Sequence, residues 1–169
     1  MSAYEYDVRQ LLTQRLTDEL DIYFENTDAA EATGVEVEVN RRFDSGAMLR
    51  ASYSAQRAVD GTTREDLSSS PQQMAKVNLS LPFFGERLYT GFELQYQSEA
   101  WTLAGNRADD FLTANVTLFS RPMDKGFELS GTIYNVFDED YGYPGAGDHL
   151  QDVILQDGRT FLGRLTYRF

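Results

Sequence analysis

The chain has 169 residues, 27 acidic against 15 basic side chains, a formal charge of −12 and no cysteine. That length fits one domain, 1–169; the acidic balance argues against a nucleic-acid partner, which would ask for a basic face; and the lack of thiols excludes a disulfide framework and a thiolate metal site. Tyr and Phe account for all the aromatic residues except one Trp, a bias toward strands and membrane-interface girdles.

In chain order the signal is alternation of period two. Residues 4–12 set Tyr4, Tyr6, Val8 and Gln10 against Glu5, Asp7 and Arg9. After a polar connection at 13–18, Leu20, Ile22 and Phe24 oppose Asp21, Tyr23 and Glu25. A turn is predicted at 27–32. Val35, Val37 and Val39 against Glu36, Glu38 and Asn40 then form the sharpest strand pattern in the chain, one that no 3.6-residue helix period produces. A tight turn at 43–46 precedes a fourth strand, Ala47 to Gln56, and a Ser- and Thr-rich loop follows at 58–71. Further strands are predicted at 75–81, 88–97, 112–118 and 127–133, with a tight connection at 82–86, a loop carrying Trp101 at 101–110, a turn at 121–126 and the longest loop at 137–158. The closing strand, 159–169, puts Phe161, Gly163, Leu165, Tyr167 and Phe169 on one face and Thr160, Leu162, Arg164, Thr166 and Arg168 on the other.

That makes about nine meandering strands and no helix. No apolar run reaches the ~18 residues of a membrane-spanning helix, whereas a strand of about 9–11 residues crosses a bilayer when tilted. Mean hydropathy, −0.45, does not decide between a soluble sheet and a membrane barrel, because alternating barrel strands average half polar. Loop lengths add a direction. Connections after predicted strands one, three, five and seven are short and those after four, six and eight are long, with only the second ambiguous, the asymmetry of outer-membrane barrels, with short turns periplasmic and long loops outside. Aromatics at Tyr4, Phe24, Phe43, Tyr53, Tyr96, Phe127, Tyr167 and Phe169 fall near strand ends on the apolar side, leaving Val, Leu, Ala and Ile in the middles. The fold expected is therefore an all-β, antiparallel transmembrane β-barrel segment, with aliphatics facing lipid and charged side chains facing a wet lumen. The expected lumen lining includes Glu36, Glu38, Arg50, Glu93, Glu128 and Arg164.

Several stretches together resemble the C-terminal portion of TonB-dependent outer-membrane receptors: A-T-G-V-E-V-E-V at 32–39, L-R-A-S-Y-S at 49–54 with A-K-V-N-L at 75–79, G-T-I-Y-N-V-F-D at 131–138 with Tyr141, and the closing strand ending on Phe169. The resemblance covers nearly the whole chain. It implies a location in the bacterial outer membrane and a role in active uptake of a scarce ligand, of the siderophore, haem or cobalamin class. It also implies contact with outer-membrane lipid, recognition of Tyr167 and Phe169 by the barrel-assembly machinery, and coupling to TonB only through a plug domain. These residues contain no plug and no TonB-box segment, and the first residues, M-S-A-Y-E-Y-D-V-R, have no signal-peptide pattern. The expectation is thus a C-terminal fragment or truncated product, not transport-competent alone, with an odd strand count that prevents simple antiparallel closure.

Candidate ligand contacts in the long loops are Trp101, Arg107, Tyr141, Tyr143 and His149, aromatic or charged groups able to grip a ligand. His149 lies between Asp148 and Asp152, but a single His in a Gly-rich loop does not make a metal site, and no cofactor is expected. Glu36 and Glu38 lack a neighbouring nucleophile-and-base set, so no catalytic residue is expected. A small stand-alone outer-membrane barrel, either a lipid-modifying enzyme or a pore, and a soluble lipocalin-like binding barrel remain the alternatives.

Overall fold

In the computed structural model, which describes residues 1–16, 22–85, 87–121 and 126–168, the chain is all-β. The strands in chain order are β1 (Ser2–Leu16), β2 (Ile22–Arg42), β3 (Met48–Asp60), β4 (Gln73–Phe83), β5 (Leu88–Gln97), β6 (Ala100–Trp101), β7 (Arg107–Ala108), β8 (Phe111–Ser120), β9 (Phe127–Tyr134), β10 (Gly142–Pro144), β11 (Val153–Leu155) and β12 (Thr160–Tyr167). Eight of them form one antiparallel meander, β1-β2-β3-β4-β5-β8-β9-β12, and the other four form two small hairpins, β6–β7 and β10–β11.

The main sheet has eight strands where the sequence predicts nine. The predicted turn at 27–32 is continuous strand inside β2, which runs for 21 residues. Its backbone is held on both sides: Ala30 and Ala32 lie opposite Val8 and Tyr6 of β1 and opposite Asp60 and Ala58 of β3. The β1 ladder alone carries the strand through Asn26 and Asp28, and the β3 ladder joins it from Ala30 onward. An even count also makes the first and last strands antiparallel, which removes the predicted obstacle to closure. At about 3.3 Å per residue β2 is about 70 Å long, roughly twice what a tilted strand needs to cross a bilayer.

Two rims result. The connections at 43–47 and 84–87 are tight; Gly46, at φ 81°, donates its N–H to the Phe43 carbonyl at 2.9 Å. Those at 61–72, 98–110 and 135–159 are long, and the two small hairpins lie within the last two.

The faces divide by chemistry. In register, Val39, Ala51, Val77, Leu94 and Ala114 form one row across five strands, and Val37, Tyr53, Ala75, Tyr96 and Leu112 form the next. The alternate residues carry Arg50, Asn78, Glu93 and Asn115, which border a groove of about 680 Å³, so the sheet curls toward its polar side. The apolar rows are therefore convex and wetted: Leu165 is 65% exposed, Val37 39% and Leu94 37%. Among the described residues no large side chain is fully enclosed. A soluble lipocalin-like barrel puts its apolar side chains in the middle; this sheet puts them outside.

β1 departs from the predicted facing. Tyr4, Tyr6 and Val8 pair with Gly34, Ala32 and Ala30 and so share the polar side with Glu36 and Glu38, while Glu5 and Asp7 pair with Thr33 and Glu31 on the convex side. Gly34 supplies the reason. Any Cβ there would strike the Tyr4 ring, so the glycine leaves the space in which the Tyr4 hydroxyl donates to Gln56 Oε1 at 3.0 Å. The convex acids belong to the part of the sheet beyond the apolar rows, where Asp7 pairs with Arg9 at 2.7 Å and Glu31 with Arg64. Tyr4 and Phe24 are thus not girdle residues: Phe24, opposite Gln14, stands far along the β2 extension. The girdle is instead seen at Tyr53 and Tyr96 in one row and at Phe127 against Tyr167, ring centroids 4.7 Å apart, toward the short-turn rim. Phe169 lies outside the described residues.

Candidate functional site

The polar face is a ladder of hydrogen-bonding groups running across the strands. Glu38, Ser52, Lys76, Gln95 and Thr113 form one row, and Asn40, Arg50, Asn78, Glu93 and Asn115 the adjacent one. Arg50 pairs with Glu38 at 3.2 Å, and Asn40 Nδ2 donates to the same carboxylate at 2.6 Å. Asn115 Nδ2 donates to Glu93 at 3.4 Å, and Arg168 pairs with Glu128 at 3.0 Å. Glu36 accepts from the Ser2 hydroxyl at 3.4 Å, and Arg164 sits opposite Ser130. All six residues predicted to line a lumen share this side, and several of their charges are already compensated.

At the long-loop rim the connection from β9 to β12 folds inward onto the same face. Its anchor is Phe111, 2% exposed, whose ring lies 4.6 Å from that of Tyr141 and 5.5 Å from that of Tyr143. Phe111 pairs with Gln97, so it is an aromatic side chain on the polar side of β8. Gln95 Nε2 reaches the Tyr143 hydroxyl at 3.5 Å. Burial holds the Tyr141 hydroxyl protonated, raising its pKa.

The two ends of this connection are tied in a collar. Asn135, in the left-handed region at φ 48°, accepts the Glu139 N–H at 3.0 Å, and its Nδ2 donates to the Glu139 carbonyl at 2.8 Å and the Asp157 carbonyl at 3.4 Å. Asp138, at φ 58°, accepts the Arg159 N–H at 2.7 Å, and Arg159 Nε donates to the Val136 carbonyl at 3.1 Å. Asparagine and aspartate tolerate this backbone better than other non-glycine residues. The segment 135–138 belongs to one of the stretches that carry the family resemblance, and its mechanical role was not visible in the sequence.

Trp101 and Arg107, candidate ligand contacts, are register partners on the β6–β7 hairpin. The Arg107 guanidinium lies 4.4 Å from the Trp101 ring centre and pairs with Glu99, so both are occupied with each other and their neighbours. Glu99 is correspondingly held below the usual carboxylate range by that guanidinium. Tyr141 and Tyr143 belong to the other hairpin cluster. His149 stands apart from both pairs, its Nδ1 3.0 Å from Asp148. Among the described residues no group of His, Cys, Asp or Glu could hold a metal ion.

The two hairpins are joined through Asp152, which accepts from Asn106 Nδ2 at 2.8 Å. Side-chain hydrogen bonds from Thr102 and Asn106 lower its pKa below the ordinary 3.8. A carboxyl lowered in the folded state contributes stability that is full above its unfolded pKa and is lost as pH falls through the folded one. The link should therefore stay closed at neutral pH and weaken progressively as pH falls from about 3.8 through the lower folded value. Trp101 fluorescence should report the change, and Asp152→Ala should show the acid signal already at pH 7.

The first 136 residues match the family model described as TonB dependent receptor-like, beta-barrel. The chain belongs to this family. No curated protein matches the sequence. Among solved structures, the fold resembles TonB-dependent receptor barrels. The pyoverdine outer-membrane receptor FpvA from Pseudomonas aeruginosa PAO1 superposes with a TM-score of 0.77 at 18% identity, over 99% of this chain and 26% of that one. The ferric-catecholate import receptor Fiu from E. coli K12 gives 0.74 at 15% identity, over 99% and 24%. The copper transporter OprC gives 0.74 at 16%, over 99% and 28%. This chain thus spans about a quarter of the length of those chains. TonB-dependent receptors are transporters and not enzymes, and this chain's sheet shares their barrel fold, with its polar side concave.

Proposed function

We propose that the chain forms the C-terminal part of the wall of an outer-membrane receptor that takes up a scarce ligand of the siderophore, haem or cobalamin class, and that it does not transport alone. The observation that carries this reading is the inside-out chemistry of an open sheet: a wetted apolar convex face, a polar concave one, and, among the described residues, edges at β1 and β12 that no other strand pairs. In this reading the eight strands remain open as a wall and further strands complete it, since a sheet escapes its edges only by closing. Lipid covers the apolar rows, the barrel-assembly machinery recognises Tyr167 and Phe169, and TonB is reached through a plug domain outside these strands. The role is transport and not catalysis.

The test is fractionation and uptake. The protein should be found in the outer membrane and released only by detergent, and uptake of labelled ferric siderophore, haem or cobalamin should require the complete receptor and not be restored by these eight strands alone. A detergent-free soluble monomer, or uptake by this chain without any other segment, overturns the proposal.

A further inference from the structure

Arginines gather on the polar side at the short-turn end of the sheet, in a chain whose net charge is −12. Arg42 opens a row that continues through Met48, Ser80, Gly91 and Thr117. The next row toward the rim holds Tyr89, Phe119, Ser130 and Arg164. In it the Tyr89 and Phe119 rings stack 5.2 Å apart, and the Arg121 guanidinium lies 5.3 Å from the Tyr89 ring centre. The acids on this side are answered within the wall: Glu38 pairs with Arg50, Glu128 with Arg168, and Glu93 accepts from Asn115. Among the described residues, the side chains of Arg42, Arg164, Asn78 and Ser80 make no hydrogen bond or ion pair.

The groove of about 680 Å³ runs over these rows, bordered by Arg42, Asn78, Ser80, Gly91 and Phe119. Gly91 lies inside β5 in regular register, and a Cβ there would meet no atom closer than 3.9 Å. The wall leaves that space empty, and a glycine that weakens a strand interior is kept where another backbone comes close. From β2 to β12 is six strand spacings, about 29 Å along the sheet at about 4.8 Å each. A small anion cannot meet Arg42 and Arg164 together, whereas an extended chain of about nine residues can. A basic segment would be repelled by both arginines, and an apolar one would bury them without a counter-charge.

We propose that this groove seats an extended, acidic polypeptide segment. Its carboxylates pair with Arg42 and Arg164, its peptide groups bond Asn78 and Ser80 as its backbone passes over Gly91, and an apolar side chain rests on the Phe119 ring. The inference rests on the barrel-wall reading, in which this side faces the interior, and gives the short-turn end a partner of its own, away from the long loops.

Two fluorescent nine-residue peptides test it on the protein in nonionic detergent, one with glutamates at both ends and serine, alanine and a leucine between them, the other with lysines in place of the glutamates. The glutamate peptide should bind at least about tenfold tighter than the lysine peptide, and raising the salt from about 0.05 M to about 0.5 M should weaken it at least about fivefold. Arg42→Glu and Arg164→Glu, both at exposed positions, should each weaken it about fivefold. Gly91→Val places its side chain in open space, so the wall stays intact, and should weaken the glutamate peptide about tenfold by blocking the groove floor. Equal or tighter binding of the lysine peptide, binding of neither peptide, or glutamate-peptide affinity unchanged by Gly91→Val or by either charge reversal overturns the inference. Presence of the protein in the outer membrane is scored separately, so a failed peptide preference leaves the location and uptake reading standing, and a failed location is seen before any peptide is added.

Discussion

Leu94→Arg should destabilise the barrel wall by about 2–4 kcal/mol in a lipid bilayer, while Asn78→Arg on the opposite face should change stability by less than about 1 kcal/mol. Leu94 occupies the convex row with Val39, Ala51, Val77 and Ala114, between the row of Tyr53 and Tyr96 and the short-turn rim. A guanidinium there has only acyl chains around it and must snorkel toward a headgroup or bring water with it. Asn78 lies on the polar side in register with Glu93 and Arg50, where a long cation finds water and a carboxylate. Denaturant unfolding in liposomes measures both variants. A larger penalty for Asn78→Arg would mean that the sheet is inverted relative to the membrane, and equal penalties that neither face is set against lipid; in both cases the transport reading would fall with its orientation.

Asn135→Ala should loosen the β9–β12 connection by about 2–3 kcal/mol without unfolding the sheet. The Asn135 side chain is 4% exposed in total residue area and serves both the N–H and carbonyl of Glu139 and the carbonyl of Asp157. Removing it leaves those groups without their partner, and alanine also resists the left-handed backbone by about 1 kcal/mol. Limited proteolysis within residues 135–159 should accelerate about 30- to 150-fold, since the open form becomes that much more populated. Asn135→Gly separates the two contributions: it restores the backbone freedom and none of the hydrogen bonds, so it should recover only the smaller part. Unchanged cleavage in both variants would assign the fixed position of the connection to the Phe111, Tyr141 and Tyr143 cluster instead.

The alternation at Val35–Val39 and the short and long rims were legible in the sequence because both are local. A period of two is written residue by residue, and the length of a connection is a count. The resemblance at 131–138 was legible too, but only as a signature. The role of Asn135 depends on Glu139 and Asp157, and a hydrogen bond across 22 residues leaves no mark in spacing. Phe111 offered a faint signal, an aromatic residue on the polar parity of its strand, which becomes meaningful only once a loop is known to fold inward over it.

The sequence by itself determined that this protein is a sheet with one apolar and one polar face, because side-chain direction in a strand follows from covalent geometry alone. Which face is convex, and which side β1 gives to it, was decided only in three dimensions. Alternation looks the same when a sheet is turned inside out, and the face a strand presents depends on its register with the neighbour. In β1 that register is set by the space Gly34 leaves for Tyr4, and in β2 the β1 ladder, joined by β3 from Ala30 onward, turns a predicted bend into continuous strand.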